Sequence, residues 1–316
     1  MTIGLDMMGG DFAPLEAVKG IVAYLQEKSD PDAPAHLVLI GDEAKLTTLL
    51  TEYAIPEASY TLVPSTQVIE MHEHPTKALK EKPDSSIAKG FGLLKKGETE
   101  AFISAGNTGA MLVGTIFSIK AIEGVIRPTI ATIVPHENGK TGLILDVGIN
   151  ADCKPEMLNQ FAVLGSGYAE YILGIENPRV GLINIGEEEG KGNILAQATY
   201  PLLKENTAIN FIGNIEGRDI LEDKADIMIC DGFTGNILLK LLESLHPITE
   251  RQGIHHPYFD RFNFEQYGGT PVLGVEKPVV IGHGISAAKA FKNMILLAEK
   301  MVKSQMLGKM REILKG

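Results

Sequence analysis

Short runs of β-branched and leucine residues recur along this chain, and most of them stop at Gly, Asp or Asn just before a stretch of helical periodicity. A short apolar run cut off by such residues buries itself best as a strand, and a helix must then carry the chain back over the sheet. The spacing predicts strands at Thr2 to Leu5, His36 to Ile40, Tyr60 to Val63, Ala101 to Ser104, Ala131 to Val134, Gly142 to Asp146, Arg179 to Ile185, Ala208 to Ile212, Asp226 to Cys230 and Pro278 to Gly282. Helices fit at about Pro14 to Glu27, Glu43 to Tyr53, Ser85 to Lys95, Thr108 to Ala121, Pro155 to Leu173, Asn193 to Lys204 and Thr234 to Leu245. Pro14 and Pro155 stand where a first helical turn tolerates proline, and Asp84 or Ser85 can cap the helix that follows. The expectation is an α/β fold, doubly wound about a mostly parallel sheet, in one continuous body over residues 1–316.

Two segments break the rhythm. Residues 246–269 gather Tyr258, Phe259, Phe262, Phe264 and Tyr267 beside His255 and His256, and read as a loop-rich excursion buried on the body or on a second subunit. Residues 286–315 set Phe291, Ile295, Ala298, Met301, Gln305, Met306 and Ile313 among Lys289, Lys292, Lys300, Lys303, Lys309, Arg311 and Lys315. That pattern predicts one long C-terminal helix, about 40 Å at ~1.5 Å per residue.

Composition excludes some classes of function. With 40 acidic against 29 basic residues and a formal charge of −11, the chain lacks the surplus cations of a general nucleic-acid binder. Cys153 and Cys230 form no CxxC, which suggests neither a disulfide framework nor a zinc ribbon and fits a reducing cytoplasm. The run around Met111 to Ile119 is too short to span a bilayer, and Asp6 interrupts the first apolar stretch, unlike a signal peptide. Glu187 to Glu189 could bind magnesium but, as an acidic run in a Gly-flanked loop, read as solvated, and His72 with His74 and His255 with His256 lack a ligand set spaced like a zinc site, so neither metal nor cofactor is expected.

In an open parallel sheet, ligands sit beyond the carboxyl ends of the strands. Polar and glycine residues collect at those ends here, as DMMGGD, SAGNTG, DVGIN, NIGE, GNIEGRD, DGFTGN and GHGIS. The junctions at Ser104 (with Gly106, Asn107 and Thr108) and at Asp231 (with Thr234 and Asn236) are alike, each setting a glycine, an asparagine and a hydroxyl where a helix begins. Backbone N–H groups and the helix dipole there favour a phosphate or an oxyanion. Neither is a GxxxxGK[ST] loop or a GxGxxG turn, so nucleotide and dinucleotide readings lose their support. His283, between two glycines at a strand end, is a further candidate, whereas Cys230 reads as a small buried hydrophobe and Cys153 has no histidine near it in sequence.

The segments IGLDMMGGDFAP, ISAGNTGAM, LDVGINADCKPEML, VGLINIGEEEGKGN, NFIGNIEGRDIL, ADIMICDGFTGNILLK, YGGTPVLG and HGIS, in this order over nearly the whole chain, resemble the acyl-ACP:phosphate acyltransferase family, PlsX. The resemblance implies a Rossmann-like α/β/α fold related to phosphotransacetylases and isocitrate dehydrogenases. It also implies transfer of a long-chain acyl group from acyl carrier protein to inorganic phosphate by a cytoplasmic homodimer, with room for peripheral contact at the inner face of the membrane. Lys191 falls on the family's active-site lysine and Asn236 on its polar partner, with Asp231 beside it, while Ser104, Asn107, Asp146, Asn150 and Glu216 lie in the other matching motifs. Lys77, Lys80 and Lys82 resemble a basic segment on the anionic-substrate side. The chain departs from many relatives between Leu242 and Tyr267, where a longer hairpin with an apolar tip gives way to Pro247, Arg251, His255 and His256. Competing readings are an acyl-CoA:phosphate acyltransferase of phosphotransacetylase type and a non-catalytic binder of phosphate or acyl ligands.

Overall fold

The computed structural model describes residues 1–27, 34–304 and 306–315. Its strands are β1 (Thr2–Asp6), β2 (His36–Gly41), β3 (Tyr60–Pro64), β4 (Ala101–Ser104), β5 (Thr129–Pro135), β6 (Thr141–Leu145), β7 (Arg179–Asn184), β8 (Asn210–Glu216), β9 (Ile227–Ile229), β10 (Thr270–Leu273) and β11 (Val279–Ile281). Its α-helices are α1 (Leu15–Glu27), α2 (Glu43–Glu52), α3 (Pro75–Glu81), α4 (Ser86–Lys96), α5 (Thr108–Ser118), α6 (Pro155–Tyr168), α7 (Ile194–Glu205), α8 (Gly232–Arg251), α9 (Pro257–Asp260), α10 (Ala288–Lys303) and α11 (Met306–Lys315). The chain divides into two compact units. Met1–Lys120, Phe264–Pro271 and Val275–Lys303 make the first, and Ala121–Asn263, Val272–Gly274 and Ser304–Gly316 the second.

In the first unit the strand order is β3-β2-β1-β4-β11, parallel throughout. Strands covered on both faces must be apolar along their whole length, and Leu37 to Ile40 and Ala101 to Ile103 are buried without alternation. Helix α10 turns Phe291, Met294, Ile295 and Ala298 inward, at the three- and four-residue spacing of one helical face. Glu299 on the same helix is also buried, and it accepts hydrogen bonds from the Tyr24 hydroxyl at 2.7 Å and the Ala35 amide at 3.0 Å. The chain runs outward from β1 to β3 and returns to lay β4 on the other side of β1. That reversal opens a crevice at the carboxyl ends of β1 and β4, where Asp6 and Ser104 stand.

Val272 and Leu273 of β10 belong to the second unit, where the order is β10-β5-β6-β9-β7-β8, with β5 antiparallel to both neighbours and the remaining pairs parallel. The link from β5 to β6 covers only residues 136–140, far short of the dozen or so residues that a parallel crossover requires. Since β9 returns between β6 and β7, the carboxyl ends of these three strands converge at a second reversal.

Several boundaries differ from the sequence reading. Helix α8 continues past Leu245, through Pro247, to Arg251. It stops where Gly253 takes φ +66°, with the Gly253 amide donating to Glu250 O at 3.0 Å and the Ile254 amide to Thr249 O at 2.9 Å, the paired bonds of a glycine-terminated helix. The expected excursion over 246–269 is therefore the end of α8, then α9 and a 3-10 turn at Phe264–Gln266. The expected single helix over 286–315 is two helices, and Gln305 lies outside the described residues. The strand expected at Ala208 to Ile212 runs from Asn210 to Glu216.

Candidate active site

The second unit builds its candidate site around Asp146, which directly follows β6 and is wholly buried. Its Oδ2 accepts from the Asn150 amide at 2.6 Å and from Asn150 Nδ2 at 3.0 Å, and its Oδ1 accepts from the Ile130 amide at 3.2 Å. Asn150 also donates to Pro128 O at 2.9 Å, so the DVGIN turn is pinned from both sides. The next junction docks on this turn, because the Gly232 amide donates to Asn150 O at 2.7 Å and Asn236 Nδ2 to Val147 O at 3.1 Å. Asp231 caps α8 by accepting from the Thr234 amide and hydroxyl, each at 2.9 Å, which fixes the start of the helix and the direction of its free N–H groups.

Lys191 lies between β7 and α7. Its amide donates to Glu188 O at 3.0 Å, and its carbonyl accepts from Asn184 Nδ2 at 3.1 Å, so backbone contacts hold the loop. The half-exposed ammonium stays 4.0 Å from Glu188, whereas Lys224 closes on Glu187 at 2.6 Å and Lys204 on Glu189 at 2.9 Å. Glu216 ends β8 and pairs with Arg218. Between these elements lies a cleft of about 540 Å³. Leu158, Leu182, Leu195, Ile220 and Leu238 give it an apolar wall, and Asn193, Asp231 and Thr234 a polar edge. The β7–α7 loop and the β9–α8 junction thus border one space, with Gly192 beside Lys191 lining it.

In the first unit the Ser104 hydroxyl donates to Asp6 Oδ2 at 2.6 Å and accepts from the Gly106 amide at 2.9 Å. Burial pushes the Asp6 carboxyl up, and hydrogen bonds from Ser104, Ser86 and the amides of Met8 and Gly9 oppose that shift. Asn107 caps α5 through the Ala110 amide at 2.9 Å, and its Nδ2 reaches the carbonyls of Glu70, Met71 and Glu73 at 2.9, 3.2 and 3.1 Å. Thr108 is exposed at the start of α5, and His283 stacks on Phe264 with ring centres 4.4 Å apart. Lys77 and Lys80 are exposed on α3, but the Lys82 ammonium is held inward by Glu73 Oε2 at 2.5 Å and Val68 O at 2.7 Å. The expected residues therefore form two sets. Ser104, Gly106, Asn107, Thr108 and His283 belong to the first unit, and Asp146, Asn150, Lys191, Glu216, Asp231 and Asn236 to the second.

Sequence reading missed Asp6 as the partner of Ser104, although DMMGGD marked the strand end, and it missed Asn193, the cap of α7 at the cleft edge. Neither cysteine suits nucleophilic attack. Burial pushes the Cys153 thiol up to about 12, aided by Asp146, Asp231 and Asp152, and burial raises Cys230 as well. Cys153→Ser and Cys230→Ala are each expected to keep turnover within about threefold of the parent, measured as thioester loss. A fall of about 10³ in either variant would point to a covalent intermediate on that cysteine.

The likeness to solved structures defines the class of fold. A phosphotransacetylase from Streptococcus pyogenes superposes with a TM-score of 0.65 at 18% identity, covering 95% of this chain and 94% of that one. A branched-chain phosphotransacylase from Enterococcus faecalis gives 0.61 at 16% identity over 95% of this chain and all of the other. This is the Rossmann-like α/β/α architecture of the phosphotransacetylases. The family described as fatty acid synthesis protein matches residues 1–251 and 255–309. A phosphate acyltransferase of Dictyoglomus turgidum is 42% identical over 99% of this chain and 97% of its own length, and one of Aquifex aeolicus is 45% identical over 94% and 92%. The chain belongs to this phosphate acyltransferase family of acyl-transferring enzymes.

Proposed function

We propose that the chain moves a long-chain fatty acyl group from acyl carrier protein to inorganic phosphate, giving an acyl phosphate for bacterial phospholipid synthesis. The observation that carries this reading is the second unit's cleft, apolar along its wall and edged by a capped helix start and the Lys191 loop. Its volume falls within the roughly 300–1,000 Å³ of small-molecule sites, and each methylene buried there adds about 0.8 kcal/mol, which favours a long chain over acetyl. Phosphate is already anionic near neutral pH and a thiol leaves with a pKa near ~8.5, so attack on the thioester needs little acid–base help. Orientation can supply roughly 7–11 kcal/mol and one aimed donor about 2.7–4 kcal/mol. Lys191 takes the phosphate charge or the developing oxyanion, Asn236 contributes hydrogen bonding, and Asp231 and Asp146 orient donors instead of touching phosphate. Asn150 and Glu216 complete the substrate side of this unit, and Ser104, Gly106, Asn107, Thr108 and His283 are the first unit's substrate-binding residues.

Lys77 and Lys80 face acidic acyl carrier protein, while Lys82 holds their segment in shape. The enzyme works as a cytoplasmic homodimer. Two free cysteines support the compartment, and the exposed Phe233, Ile237, Leu241 and Ile248 on one stripe of α8 support a second subunit. Contact with the inner face of the membrane is peripheral, in keeping with the absence, among the described residues, of a helix long and apolar enough to cross it. The test compares phosphate-dependent thioester loss from palmitoyl-acyl carrier protein and from acetyl-CoA. The carrier-linked substrate should be preferred and should yield acyl phosphate. Equal or better use of acetyl-CoA would favour the phosphotransacetylase reading, and no turnover of either would favour a binding protein.

A further inference from the structure

A second cluster of ligating side chains lies at the far end of α8 and shares no residue with the proposed acyl site. His246 and Glu250 are four residues apart on that helix and so share a face, and Asp260 ends α9 after the intervening turn. One ligand atom from each of the three lies within 4.8 Å of the others. His246 Nδ1 is buried and has no hydrogen-bond partner. A buried imidazole nitrogen normally finds one, and with its lone pair turned toward the two carboxylates it would share with them a cation and not a hydrogen bond. His255, exposed in the turn, sets its Nδ1 3.4 Å from Glu250 Oε1.

We infer that His246, Glu250 and Asp260 bind a divalent transition-metal cation of the zinc class, which staples the end of α8 to α9. One imidazole and two carboxylates suit such an ion. Thiolate-seeking copper(I) would want sulfur, and calcium or magnesium would want oxygen alone. Bonds of about 2.0–2.2 Å set tetrahedral ligand atoms roughly 3.4 Å apart, so the three side chains close on the ion by rotations of about an ångström. Three protein ligands leave one position, taken by water or by His255 beside it. The set was hidden in the sequence because Asp260 is fourteen residues from His246 and reaches it only when Gly253 turns the chain back. The cluster serves the shape of the α8–α9 segment, not the acyl transfer.

The test uses the full-length, tag-free enzyme, stripped with a chelator and titrated with Co²⁺ as a visible probe and then with Zn²⁺ as competitor. One Co²⁺ per chain should bind with a new visible absorption band, Zn²⁺ should displace it, and excess Zn²⁺ should raise the thermal midpoint by several degrees. Glu250→Gln and Asp260→Asn keep the shape of each side chain, and each should weaken binding about 100-fold or more and abolish the midpoint rise. Acyltransferase turnover of both variants should match that of the parent, so this test does not depend on the fate of the functional proposal. Undiminished binding in both variants, or no saturable binding by the parent below about millimolar metal, overturns the inference.

Discussion

Lys191→Ala is expected to lower turnover by about 10²–10³ while leaving the unfolding midpoint where it is. The loop around Lys191 is shaped by its own backbone bonds to Glu188 and Asn184, and the side chain is half-exposed, so truncation should change stability by no more than about 0.5 kcal/mol. What is lost is an ammonium that no carboxylate has closed upon. The kinetic pattern then separates the two roles proposed for it. If Lys191 stabilises only the developing oxyanion, kcat and kcat/KM for phosphate fall together, whereas a cation that merely holds phosphate would raise KM and leave kcat unchanged. Steady-state rates over a phosphate series, with Lys191→Arg as the charge-preserving control, read both quantities. A folded Lys191→Ala enzyme with parental rates would remove this residue from the chemistry.

Much of the architecture was legible in the sequence because buried parallel strands must be short, apolar and abruptly ended. Ala101 to Ser104 was read to the residue, and β1, β2 and β3 to within one. Strand β10 escaped because TPVL is four residues long, carries a proline and pairs antiparallel, so it shows neither alternation nor a following helix. Helix α3 was hidden by Pro75 and Pro83, which read as loop punctuation, yet Pro75 occupies the first turn of a helix that stops at Glu81. Pro247 misled in the same sense, since α8 runs through it. The two-unit division was invisible because residues 264–271 and 275–303 return to the first unit, and no composition shift marks such a return.

At the candidate sites, the junctions at Ser104 and Asp231 were visible as glycine, asparagine and hydroxyl groups at strand ends. Which carboxylate each would meet was not, because the Ser104–Asp6 bond joins residues 98 positions apart. Only pairing β1 with β4 brings those ends together. Lys82 shows the converse, since a lysine in a basic stretch can fold inward upon a glutamate nine residues away.

Gly235→Ala carries the largest expected cost in stability, about 3 kcal/mol or more, with turnover lost alongside it. A methyl at this position would stand 1.9 Å from the Asp146 carbonyl oxygen and 3.1 Å from Cys230 Sγ. The first of these is backbone at the end of a central strand, so it cannot swing aside as a long side chain would. Helix α8 would have to retreat, and the retreat would draw the Gly232 amide from Asn150 O and Asn236 from Val147 O, the two bonds that hold the helix start against the DVGIN turn. Gly92→Ala is the matched control, because a methyl there meets nothing within 4 Å and α4 gains about 0.4–1 kcal/mol from the less flexible residue. Urea unfolding followed by tryptophan-free probes, far-ultraviolet circular dichroism or tyrosine emission, compares the three proteins. Parental stability in Gly235→Ala would mean that the first turn of α8 does not need to lie against Asp146, and the helix-start geometry on which the proposed anion binding rests would lose its support.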